Sequence, residues 1–206
     1  MIANTKRHST LYLVKLAILT ALTVILTFFS FKTATLEITL APVPIAIGAI
    51  TMGCGAGAFL GGTAGLCFFI MCCTGLNPMG PVMMGLFPLA PLLLFIVCVP
   101  TRLLTGFFCG LIYKGLRKTR MPVSLPVAVA GISAPAMNTI LFLTTLTAFF
   151  FNTEPMQQFT SGTGIQAVFT FIAAMAGTNA IIEIIVCPIL IYAVSMALLR
   201  LNSRIK

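Results

Sequence analysis

From Ile38 to Thr101 the chain carries no charged residue, and further charge-free stretches cover residues 16–31, 121–153, 155–182 and 184–199. These runs restrict the possible folds more than any other feature. Each reaches or approaches the roughly 20 residues that a helix needs to cross the hydrocarbon core of a bilayer. Hydrophobic residues make up 59% of the chain and charged residues 7%, with a mean hydropathy of +1.12, values foreign to a soluble domain. The weak alternation of a lipid-facing β-barrel is absent. The expected fold is an all-α integral membrane protein.

The longest run holds the segment around which the chain is organised. Between Glu37 and Gly65 it opens on Pro42 and Pro44 and closes on Gly53, Gly57, Gly61 and Gly65. Glycines four apart on a helix leave a stripe almost free of side chains, along which a second helix backbone approaches closely. Gly106 and Gly110 form a second such pair, expected to serve internal packing. The prolines lack backbone donors and disfavour helix in the residues before them, so a helix starts here only after an irregular loop.

Spans are expected at about residues 10–31, 42–53, 56–73, 90–117, 123–151 and 165–199, forming one membrane domain over 1–206. The second would rise only about 18 Å, so it needs help from its flanks or protein surroundings. A seven-span alternative would split the fourth segment at Pro100. Basic residues decide against it. Lys6, Arg7 and Lys15, then Lys114, Arg117, Lys118 and Arg120, then Arg200, Arg204 and Lys206 form three clusters. Six spans put all three, and both termini, in the cytoplasm, as the positive-inside rule requires, and leave 74–89 as an outer loop. The net charge of +9 therefore reports orientation, and no nucleic-acid partner is expected. The first span is longer than a signal-peptide core and lacks a small-residue cleavage site after it, so it is expected to stay.

Several functions lack their residues. There is no phosphate-binding Gly-x-x-x-x-Gly-Lys-Ser/Thr loop, so an uphill transporter built on this chain would take its energy from another one. Asp is missing, and Glu37, Glu154 and Glu183 are the three acids, too few for an intramembrane proton relay or a carboxylate-based protease. Seven cysteines without a Cys-x-x-Cys pair, and His8 as the single histidine, give no metal site.

Polar residues inside apolar spans are the candidates for chemistry. Arg102 would lie about 18 Å along the fourth helix, where a guanidinium needs a partner. A structural pair with Glu183, supplemented by carbonyls freed near Pro100, and a ligand-binding role are both open. Asn138 and Asn179 offer uncharged donors and acceptors in the fifth and sixth spans, with interhelical hydrogen bonding as the alternative. Near the outer face stand Lys32, Glu37 and Asn77. Lys32 is the one basic residue expected outside, available to an anion or simply solvated at the interface.

The wording Glu37-Ile-Thr-Leu-x-x-Val-Pro-Ile45, followed by Ile47-Gly-Ala-Ile50 and Ala56-Gly-Ala-Phe-Leu-Gly-Gly62, resembles the substrate-binding S components of bacterial energy-coupling factor (ECF) vitamin transporters. The resemblance continues through Asn77-Pro78, Val99-Pro100-Thr101-Arg102 with Gly106 and Gly110, and Asn138, covering most of the chain. It implies a six-helix S-component-like bundle in the bacterial plasma membrane that captures a water-soluble vitamin beneath its outer loops. It further implies a transmembrane coupling protein and two cytoplasmic ATPases as partners, which use ATP while this chain binds no cofactor and is not an enzyme. Ala17 and Ala21 on the first span resemble the surface that docks on the coupling protein, although small residues four apart also serve packing within a chain. The wording is most like the pantothenate-type branch. Riboflavin or folate are the alternative vitamins, and a stand-alone carrier or a lipid-binding protein the alternative classes.

Overall fold

The shortest helix is the one most enclosed by protein. The computed structural model describes residues 2–29, 31–33, 36–74, 76, 85–119, 121–154 and 183–201, with backbone alone for 2–9, 31–33 and 36–38. In chain order these hold α1 (Ile2–Phe28), β1 (Phe31–Thr33), β2 (Leu36–Ile38), α2 (Pro42–Met52), α3 (Cys54–Thr74), α4 (Pro91–Arg117), α5 (Ser124–Phe150) and α6 (Glu183–Leu201). The part of the expected last span before Glu183 lies outside the described residues.

Every residue from Pro42 to Ile50 in α2 is buried, and the helix touches α1, α3, α4 and α5. Its eleven residues are too few to span a bilayer, so protein rather than lipid surrounds it. Pro42 occupies the first turn, where its missing N–H costs no intrahelical bond and its fixed φ favours helix. At the other end Gly53 adopts φ 103°, open to a residue without Cβ, and its N–H donates to the Ala49 carbonyl at 3.2 Å. The chain then turns directly into α3. Gly53 is thus the joint between α2 and α3 and not the first rung of the stripe, a role that four-residue spacing alone conceals.

The stripe itself is Gly57, Gly61 and Gly65, and α4 lies against it. A Cβ on Gly57 would sit 2.6 Å from the Gly106 carbonyl oxygen, and one on Gly65 would sit 2.7 Å from Val99 Cα. At Gly61 it would overlap the Arg102 carbonyl, and at Gly110 it would come within 2.7 Å of Cys54 Cα. These contacts run in opposite sequence order, so α3 and α4 are antiparallel with backbones touching over about three turns. Both glycine pairs therefore serve packing within the chain. The helix α4 continues through Pro100, which removes the break required by a seven-span topology.

Among the described residues five helices are long and apolar enough to cross a membrane: Thr10–Phe28 within α1, then α3, α4, α5 and α6. Their outer faces are apolar. Leu92, Ile189, Ile18 and Leu13 are between 60% and 71% exposed, an arrangement suited to lipid and costly in water. Threonine hydroxyls bond back into their own helices, as in Thr23 to Leu19 O at 2.7 Å, Thr27 to Thr23 O at 2.7 Å and Thr105 to Thr101 O at 2.9 Å. Each hydroxyl thereby enters an apolar setting with its donor satisfied.

Neighbouring glycines give a paired test of the α3–α4 contact. Gly62 would bring a Cβ to within only 3.8 Å of the Leu103 Cδ1 atom, so Gly62→Ala is expected to be neutral or stabilising by up to about 1 kcal/mol. Gly61→Ala meets backbone and is expected to cost about 1–3 kcal/mol. Thermal unfolding in detergent should separate the two variants; equal midpoints would refute the backbone contact.

Candidate functional site

The α3–α4 seam carries Arg102 into the interior. Its backbone lies against Gly61, and its side chain is 7% exposed. Side chains on a helix lean toward its N-terminus, and Arg102 follows that rule: Nη1 donates to the Cys98 carbonyl one turn earlier, at 3.4 Å. The guanidinium carbon then stands 3.8 Å from the Phe68 ring centroid of α3 and 5.4 Å from that of Phe142 on α5. The two rings meet edge to face at 5.8 Å between centroids. Cation–π attraction of this kind is strongest when the cation is desolvated.

Arg102 lies where two apolar clusters meet. One gathers α2 with Leu60, Cys109, Ala130, Cys187 and Ile191. The other gathers Leu94, Val97, Cys98, Leu143, Leu146 and Phe150. Cys98, whose carbonyl receives the guanidinium, is buried in the same cluster as Cys72 of α3. Asn138 is half-buried and one helical turn before Phe142, so the two share a face of α5. Cation and rings thus meet where α3, α4 and α5 converge, and Asn138 shares the α5 face that carries Phe142.

Glu183 has a different described neighbourhood. Its carboxylate accepts the Thr39 N–H at 3.1 Å, and the Cys187 thiol donates to the Thr39 carbonyl at 3.9 Å. Glu183 and Cys187 are a turn apart on α6, so α6 grips the backbone immediately before α2. The described contacts place Arg102 against Cys98, Phe68 and Phe142, and Glu183 against Thr39. The carbonyl that receives Arg102 is likewise that of Cys98, whereas Pro100 leaves the Ile96 carbonyl without its usual helical donor.

Lys32 and Glu37 are cross-strand partners in the antiparallel β1–β2 pair, whose register also aligns Phe31 with Ile38 and Thr33 with Leu36. This hairpin leads through Thr39 to the point held by Glu183. Asn77 and Asn179 lie outside the described residues. Ala17 and Ala21 are exposed on α1, while Leu19, Thr23 and Thr27 form its buried side. Among the described residues they lie on the side of α1 opposite its buried face.

Phe68, Phe142, Cys98 and Thr39 are the site neighbours that sequence reasoning missed. Phe68 had a legible signal, because it stands less than a turn beyond Gly65 on a helix whose glycines mark the face turned to α4. Phe142 and Thr39 had none, since both act through contacts across the chain.

The family described as the substrate-specific component of ECF transporters matches residues 11–195. The pantothenic acid transporter PanT of Lactococcus lactis subsp. cremoris (strain MG1363) is 29% identical over 171 residues, a stretch covering 80% of this chain and 79% of that protein. The family match takes in nearly all of the helices whose packing encloses Arg102, and it accounts for a multi-pass chain of the bacterial cell membrane that binds a transported substrate and is not an enzyme. This chain belongs to the ECF transporter substrate-specific component family.

Proposed function

We propose that the chain captures pantothenate from outside the cell and delivers it to partner subunits for ATP-driven uptake. The observation that carries this reading is the buried guanidinium of Arg102, held between Phe68 and Phe142 with Asn138 a turn away. Pantothenate presents a carboxylate, hydroxyls and an amide. A desolvated cation suits the first through charge-assisted hydrogen bonds, and asparagine amides suit the others. Riboflavin is uncharged and would make no comparable use of the cation. The relative named as a pantothenic acid transporter supports the same choice.

In this proposal the chain is one membrane domain of six spans with both termini and the Lys114–Arg120 loop in the cytoplasm, an orientation favoured by the positive-inside rule. In it Arg102 and Asn138 are the core substrate contacts, with Asn179, Lys32, Glu37 and Asn77 as further ones. The chain itself holds no cofactor. ATP is hydrolysed by two cytoplasmic ATPases, coupled through a transmembrane protein that docks on the Ala17–Ala21 face of α1. Exposed small residues let a second helix approach closely.

Calorimetric titration of the substrate-free protein with pantothenate, riboflavin and folate is expected to show one-to-one binding of pantothenate alone. Arg102→Ala is expected to weaken that binding about 30- to 100-fold, consistent with losing a hydrogen bond to a charged group. Arg102→Lys should recover part of it, because lysine restores the charge without the planar fork. Tight riboflavin binding, or full affinity in Arg102→Ala, would overturn the assignment.

Docking is separately testable. Ala17→Phe with Ala21→Phe is expected to abolish co-purification with the coupling protein and leave the calorimetric pantothenate titration unchanged. Normal complex assembly by this double variant would remove α1 as the docking surface.

A further inference from the structure

At the end of the bundle that carries Lys114 and Arg117, the joint between α2 and α3 leaves a cleft of about 550 Å³. Its floor is Ala49, Ile50, Gly53, Cys54 and Gly110, and its remaining wall is Tyr113, Lys114 and Arg117. The cleft exists because α2 stops at Gly53 while α4 continues to Arg117. From Gly110, which packs on Cys54, about two more turns of α4 therefore project past the end of α2.

The cations belong to a longer stripe. Phe107, Gly110, Lys114 and Arg117 recur at intervals of three and four and share one face of α4. Moving from the cations toward the bilayer interior, this side of α4 shows Leu111 at 41% exposure and then Phe107 at 38%. Lys114 and Phe107 are about 10 Å apart along the axis. Paired cations at a helix end above an exposed apolar track match a molecule with an anionic head and a hydrocarbon tail. A small soluble anion would use the cations and leave the track idle.

We propose that this cleft is a binding site for an anionic phospholipid, with the phosphodiester held by Lys114 and Arg117 and an acyl chain laid along Leu111 and Phe107. Arg117 supplies a planar fork for phosphate oxygens, Lys114 a compact charge, and the Tyr113 hydroxyl a further donor. The cations lie at the opposite end of α4 from Pro91, about three to four turns from Arg102, and the occupant is distinct from the transported substrate.

The test is native mass spectrometry of the delipidated full chain in a neutral detergent, titrated with phosphatidylglycerol, phosphatidylcholine or inorganic phosphate. One phosphatidylglycerol is expected to bind at least tenfold more tightly than phosphatidylcholine. The double variant K114Q/R117Q should lose that preference, whereas K118Q, which removes an exposed cation that does not line the cleft, should keep it. An equal loss in K118Q would reduce the effect to general basicity and overturn the proposal. Displacement of the lipid by millimolar inorganic phosphate would overturn it in favour of a soluble-anion site.

A second measurement needs no substitution. Cys54 lines the cleft and is half-buried, and Cys73, also half-buried, lies near the other end of α3. Saturating phosphatidylglycerol is expected to slow maleimide alkylation of Cys54 at least fivefold and to leave Cys73 unchanged. Unaltered labelling of Cys54 would overturn the proposal even if the double variant failed to fold.

Discussion

The contact between the backbones of α3 and α4 determines most of what the molecule can do. Inside a bilayer no hydrophobic force pulls helices together, because lipid tails are as apolar as the side chains they would replace. Close dispersion contact has to supply the attraction, and it grows with the number of atoms brought within reach. Glycine at 57, 61, 65, 106 and 110 removes the side chains that would hold the two axes apart. That closeness has a chemical consequence. It places the Arg102 backbone directly against Gly61 and obliges its side chain to find room one turn along the seam, among Phe68, Cys98 and Phe142.

Much of this was legible in the sequence because membrane helices obey few rules and obey them strictly. The expected spans 42–53, 90–117 and 123–151 fall within a residue or so of α2, α4 and α5, since prolines and basic residues mark those ends chemically. Hydropathy predicts the first span at 10–31, whereas α1 reaches back to Ile2, because hydropathy marks where the apolar core starts and not where the helix does. Gly53 was misjudged for a related reason. A glycine at the right interval for a stripe and a glycine that ends a helix look the same until the backbone is known, and only the positive φ distinguishes them. The β1–β2 hairpin is not legible in the sequence, since three-residue strands leave too short a pattern to recognise.

The candidate site was legible in its cation and not in its surroundings. An arginine in an apolar helix announces itself by cost alone. What offsets that cost is distributed over α3, α4 and α5, and no spacing rule links Phe68 to Phe142. The expected ionic partner followed from counting charges, which favours Glu183 because the chain has so few acids. What such counting does not foresee is that Glu183 also engages the backbone at Thr39, where the connection from the hairpin enters α2.

These two polar attachments divide the molecule's tasks. Arg102 is fixed to the α3–α4 seam, which cannot shift without opening glycine contacts along its whole length. Glu183 and Cys187 instead hold the short connection at Thr39, between a hairpin and a helix that is buried along nearly its full extent. The described hold on that connection is a carboxylate and a thiol on one residue's backbone, whereas the seam sets backbone against backbone over about three turns. Any motion that admits a ligand to Arg102 should therefore proceed through the Thr39 connection and leave α3 and α4 together. In the proposed function the seam presents the binding cation, and the Thr39 connection is the element free to move beside it.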